Sequence, residues 1–349
     1  MSIPNSKRFA VTKTDLPPCC LRIHPENSTQ IIIGTYKLED NGTRHGSLNY
    51  YHYENNEFTL RQSFPTPGAI LDVKFNPRDS TKILTVDSIG HVIYWNFEND
   101  QLSILNDKQV TDSDDILITS CLFSPTDPES VLLTFTDGTS ALFNLNRFEI
   151  SLWLDTQHEL ECWTGAFGEI GELSNVVYTG GDDSRLIAHD LRSGEHIWTT
   201  SRNQHDAGVV SILSPGPDWN TTNPHTLWTG SYDDQLRVFD LRVMDKGNPS
   251  LLPGYIPKLL HSENLGGGVW RLIPSPVSGD DRVLVCCMYD GARIVNLDEQ
   301  SHFTVDRYFK RDHESMCYGA DWSPDAKFVA TCSFYDNVVQ TWSPDEIDT

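Results

Sequence analysis

The segment TLWTGSYDDQLRVFDLR, from Thr226 to Arg242, recurs fifty residues upstream as VVYTGGDDSRLIAHDLR, from Val176 to Arg192. At that offset Thr179 meets Thr229, Gly180 meets Gly230, Asp183 meets Asp233, Leu186 meets Leu236, and the closing Asp-Leu-Arg triplets coincide. Each copy reads as a hairpin: an apolar run rises into a small residue, turns through Gly, Ser and Asp, and descends through alternating apolar positions. A hairpin of this kind cannot bury both faces alone. A period near fifty residues built from short strands and Gly-Ser-x-Asp turns predicts propeller blades stacked on one another.

The turn aspartate extends the repeat. Asp137, Asp183, Asp233, Asp290 and Asp336 are separated by 46, 50, 57 and 46 residues, and each stands six residues before the same point of the descending strand, held by Phe143, His189, Phe239, Asn296 and Trp342. Ile89 takes that place before Trp95, and the first repeat has no clear counterpart. Hydrophobic runs and X-Pro turns complete the set, giving an all-β, seven-bladed propeller in one domain. The blades span approximately 15–65, 66–110, 111–156, 157–202, 203–261, 262–308 and 309–345. The residues after Trp342 begin Ser-Pro-Asp-Glu and are not expected to supply the last outer strand. Residues 1–14, with the run Arg8 to Thr12, are expected to close the ring and remove its open sheet edge.

Composition narrows the partners. A formal charge of -23 and the lack of long basic runs speak against a nucleic-acid surface. No apolar stretch is long enough for a signal peptide core or a membrane span, so a cytoplasmic protein without membrane contact is expected. The eight cysteines form no C-x-x-C pair, which argues against a zinc site and a disulfide framework and for buried free thiols. No metal or cofactor is expected.

The Gly-Ser-x-Asp turns and strands ending in Trp-Ser or Phe-Asp resemble the WD-repeat family across nearly the whole chain. A narrower likeness is carried by HELECWTGAF (158–167), YTGGDDSRLIAHDLR (178–192), TGSYDDQLRVFDLR (229–242), GGGVWRL (266–272) and YGADWSP (318–324). These segments resemble the WD-repeat diphthine methyl esterases. Glu161 to Trp163 and Gly267 to Arg271 are the more specific pieces, since ordinary blades do not demand them. The resemblance implies a carboxyl-methyl-ester hydrolase of diphthamide biosynthesis, acting on methylated diphthine of translation elongation factor two. A non-catalytic WD-repeat scaffold is the alternative.

No G-x-S-x-G elbow or H-E-x-x-H helix is present. His205, Ser231 and Asp233 suit either a nucleophilic triad or the hydrogen-bond network that locks a blade. Residues one step before the turn aspartate, among them Asp182 and Tyr232, should rim the channel with the inner-strand approaches. A trimethylammonium substrate would be held by ring faces and carboxylates, so Trp163, Tyr232, Trp270, Tyr318 and Asp182 are the expected binding residues. For hydrolysis, His205 or Glu161 is the expected base and Arg271 the oxyanion donor.

Overall fold

The computed structural model describes residues 3–242, 257–298 and 302–348; parts of the fifth and sixth expected blades, residues 1 and 2 of the closing segment and residue 349 lie outside them. Local turn chemistry sets the plan. Each turn aspartate is followed by a residue in the left-handed region: Gly138, Ser184, Asp234, Gly291 and Asn337, with φ of 87°, 64°, 65°, 69° and 62°. Glycine, asparagine, aspartate and serine suit this position far better than branched side chains. The second blade uses the same turn, with Gly90 at φ 79° after Ile89. There Asp87 accepts the backbone N–H of Ile89 and His91 at 3.0 and 2.8 Å, a role Asp183 and Asp233 fill from their own place in the turn.

The two opening repeats fold into hairpins of identical register. Val176 pairs with Asp190 and Gly180 with Leu186, as Thr226 pairs with Asp240 and Gly230 with Leu236. The described strands form seven antiparallel sheets, six of four strands and one of five. The innermost strands are Pro18–His24, Ile70–Asn76, Ile118–Phe123, Cys162–Phe167, Val209–Leu213, Arg271–Pro274 and Cys317–Trp322, and each touches its two neighbours around a ring. This is the seven-bladed propeller expected from the repeat.

The core follows from that arrangement. Seven separate clusters of buried apolar residues occupy the seven blade interfaces, rather than one central core. Tyr178 and Trp198, for example, pack with Leu227 and Phe239 of the next blade. All eight cysteines are free thiols, and seven are buried.

Two features go beyond the sequence reading. The third strand of the last blade runs from Val338 to Ile347, past the Ser-Pro step, because it keeps pairing with Ser6–Lys13. In the first blade, a two-residue strand, Lys37–Leu38, folds back on Arg44 and His45. That insertion carries side chains to the channel mouth.

Closure is made by Ser6–Lys13, which pairs antiparallel with Val338–Ile347 and completes the last sheet. Ala10 also belongs to the cluster between the last and first blades. Deleting residues 1–14 strips both the ladder and part of that interface, and is expected to lower the melting temperature by about 10 °C. An unchanged melting temperature in the truncated protein would contradict this role.

Candidate functional site

The inner strands all begin on one face of the ring, and their approaches bring aromatic side chains together there. Trp163 and Tyr318 lie on inner strands, Trp270 immediately precedes one, and Tyr232 follows the strand Thr226–Ser231. All four line a cavity of about 420 Å³ at the channel mouth. Trp270 is the hub, with ring centres at 5.8 Å from Trp163, 5.9 Å from Tyr232 and 4.7 Å from Tyr318. The series continues from Tyr318 to Phe334 at 5.5 Å and from Phe334 to Tyr36 at 5.9 Å. The rings thus form one continuous series along the cavity wall.

Two carboxylates stand beside this wall without lining it. Asp182 Oδ1 accepts the indole N–H of Trp163 at 3.3 Å, and the Asp182 backbone N–H donates to the Glu161 carbonyl at 2.8 Å. Burial raises the Asp182 carboxyl above its ordinary range; the Trp163 hydrogen bond opposes this, and the Glu161 charge adds to the rise. Burial, then Asp182 and Glu161, also push the Tyr232 hydroxyl well up, so that ring stays neutral. Close approach here requires glycine at 208: a Cβ there would sit 2.5 Å from Asp182 Oδ1 and 3.1 Å from the Tyr232 ring. The indole N–H of Trp270 is buried with no partner among the described residues. A buried donor left so costs about 1–3 kcal/mol unless an acceptor meets it.

His205 and Arg271 are placed elsewhere. His205 is buried inside its blade, with Nε2 at 2.9 Å from Thr229 Oγ1 and its ring against Phe239. The same contact recurs as His158 with Thr179 at 3.0 Å and His313 with Thr331 at 2.8 Å, which marks it as a blade-locking bond. In the fourth blade Asp183 also holds His158, at 2.9 Å, whereas Asp233 is taken by a bidentate pair with Arg237 at 2.9 and 2.7 Å. Burial and the Arg237 charge lower the His205 imidazole to about 3, so it is neutral, remote from the cavity and unsuited to the role of base expected for it. Ser231 donates to the Ala207 carbonyl at 3.0 Å, so the triad reading gives way to the structural network. Arg271 lies in the channel beyond the cavity lining, paired with Asp72 at 3.5 Å.

His205→Ala is therefore expected to cost about 2 kcal/mol of stability through a lost buried hydrogen bond and a small cavity. Activity per folded molecule should not change. A loss of activity at full melting temperature would restore His205 to the chemistry.

Sequence reasoning missed Tyr36, Phe334 and Cys19 on the cavity wall. Tyr335, one step before the turn Asp336, follows from the rule that placed Tyr232 on the rim, and Phe334 stands beside it; Tyr36 depends on the first-blade insertion, which no repeat signal marks.

No family model matches the chain. A chain in the crystal structure of the mitotic checkpoint complex superposes with a TM-score of 0.73 over 98% of this chain and 93% of that one, at 14% identity, which supports the fold alone. Among relatives, the diphthine methyltransferase of Saccharomyces cerevisiae is 40% identical, covering 98% of this chain and 99% of its own length. That of Schizosaccharomyces pombe is 32% identical over 97% of each chain, and a Dictyostelium discoideum homolog is 25% identical over 93% of this chain and 95% of its own. Similarity of this depth along essentially the full length of both yeast proteins leads to one conclusion: the chain belongs to the diphthine methyltransferase family.

Proposed function

We propose that this chain is a methyl ester hydrolase of diphthamide biosynthesis, which takes methylated diphthine on elongation factor two and releases methanol. The observation that carries this reading is the unbroken aromatic wall around Trp270 with Asp182 and Glu161 beside it. Diphthine carries a trimethylammonium group, which has no N–H to donate. Ring faces hold such a cation at about 0.5–2 kcal/mol per well-placed ring, and adjacent carboxylates add charge complementarity.

The relatives are named for methyl transfer, and the two readings differ in whether a methyl donor is consumed. A cavity of about 420 Å³ has room for one modified side chain. In the hydrolytic reading, Asp182 replaces His205 as the proton acceptor for water. Its raised carboxyl makes it a better base than an ordinary aspartate, and burial, with the Glu161 charge, holds it there. Water gives one proton to Asp182 as it attacks the acyl carbon, the methoxide leaves with that proton as methanol, and the carboxylic acid that remains releases its own proton to solvent. The unpartnered Trp270 N–H is the donor assigned to the developing oxyanion, in place of Arg271.

The exposed Tyr289 and Tyr335, near the cavity mouth, suit a docking rim for a folded protein substrate. Incubating the purified chain with the methylated factor should remove one methyl group from it. A gain of a methyl group on demethylated diphthine, dependent on an added donor, would favour transfer instead.

A further inference from the structure

Below the aromatic cavity the channel contains a cluster of five charged side chains from four blades. Asp72 accepts Lys74 Nζ at 2.6 and 2.7 Å and lies 3.5 Å from Arg271; Arg22 lies 3.6 Å from Asp321. Three cations face two carboxylates, an excess of one positive charge inside a chain of formal charge -23. The carboxylates are already well supplied. Asp72 also accepts the backbone N–H of Val73 and Cys121, and Asp321 those of Ile23 and Trp322. Burial pushes Asp72 up, but Lys74, Arg271 and Arg22 overcome it and hold the carboxyl at about 2.

Among the cations, Lys74 is met by Asp72, and Arg22 donates to the carbonyls of Val73 and Ala320 at 3.3 Å each; Arg271 is the least well served. Arg271 is four-fifths buried, yet its only partner among the described residues is Asp72 at 3.5 Å, and it donates no hydrogen bond there. A guanidinium carries five N–H groups, and those of Arg271 remain open to the channel. Burial and the neighbouring Arg22 charge both lower the Lys74 ammonium, further sign of crowded cations. At the end of the inner strands opposite the aromatic mouth lies a second cavity of about 340 Å³, lined by Arg22, Lys74 and Asp321 and collared by Ile23, Phe75 and Leu272; Arg271 and Asp72 do not line it and stand in the channel behind Lys74.

We propose that the channel is a binding site for one small free carboxylate, held by the fork of Arg271 with Lys74 and Arg22, its short alkyl tail in the apolar collar of the second mouth. One monovalent anion balances the excess charge, and a planar carboxylate matches the guanidinium fork better than a spherical anion does. The site is independent of the hydrolase reading, since it opens on the other face of the ring.

The test uses the purified full chain in HEPES buffer free of chloride and carboxylates. Titration calorimetry with sodium butyrate should show one saturable site, and saturation should raise the melting temperature by about 2 °C. Acetate should bind about tenfold more weakly, having two fewer methylenes to bury, and chloride should not compete at equal concentration. Arg271→Gln should lose at least about tenfold in butyrate affinity and all of the melting shift. If that variant does not fold, Arg271→Lys, which keeps the charge without the fork, should still weaken binding several-fold. The proposal fails if the wild-type chain gives no saturable butyrate binding, if chloride competes as well as butyrate, or if the folded Arg271 variant binds butyrate as the wild type does.

Discussion

Replacing Trp270 with alanine is expected to cut hydrolysis of methylated diphthine by about 100-fold or more, the largest loss from any single cavity residue. Trp270 touches three of the other rings, so its removal opens the wall that holds the trimethylammonium group. It also removes the one indole N–H of the wall that has no partner. Trp270 packs against the cluster between the sixth and seventh blades, so the variant should lose stability as well, by about 2 kcal/mol for a partly buried ring. Trp270→Phe separates the two contributions. It keeps a ring face and should retain binding, while losing the N–H should slow turnover about tenfold. Activity lost only in proportion to unfolding in both variants would mean that Trp270 is a packing residue and nothing more.

Asp182→Asn should reduce turnover by a factor of about 100 to 1,000 with little change in melting temperature, since it removes the base and keeps the shape. The acid limb of the wild-type rate profile should lie above the ordinary aspartate value of about 3.9. The sign follows from the cause: burial and the Glu161 charge favour the protonated form, and activity is lost as pH falls through the raised value. Glu161→Gln removes a like charge and should move that limb to lower pH. Trp163→Phe removes a hydrogen bond that favours the ionised form and should move it to higher pH. Opposite shifts in the two variants support Asp182 as the titrating base. Shifts of the same sign, or abolition of turnover by Glu161→Gln with Asp182→Asn still active, would assign the base to Glu161.

Much of the fold was legible because each blade repeats one local solution. The turn aspartate, the left-handed residue after it and the alternating strand that follows are short-range features, and Gly90 shows the second blade obeying them even where Ile89 replaces the aspartate. Four of the cavity rings were legible for the same reason: Trp163, Tyr232, Trp270 and Tyr318 sit at fixed places relative to the repeat. The roles expected of His205 and Arg271 were not fixed by that logic. A histidine before an inner strand reads alike whether it faces the channel or Thr229, and only packing decides. Arg271 was assigned by its neighbour Trp270, but successive residues of an inner strand point to different surroundings, and Asp72, from another blade, claims it. The charge cluster itself joins residues 22, 72, 74, 271 and 321, a grouping that exists only once the ring is closed.

The most direct measurement of the central claim is hydrolysis of methylated diphthine on elongation factor two in water enriched in oxygen-18. Attack of water on the acyl carbon predicts one heavy oxygen in the new diphthine carboxylate and unlabelled methanol in equal amount. Heavy oxygen in the methanol, no methanol at all, or a methyl group gained by diphthine from a donor would contradict it.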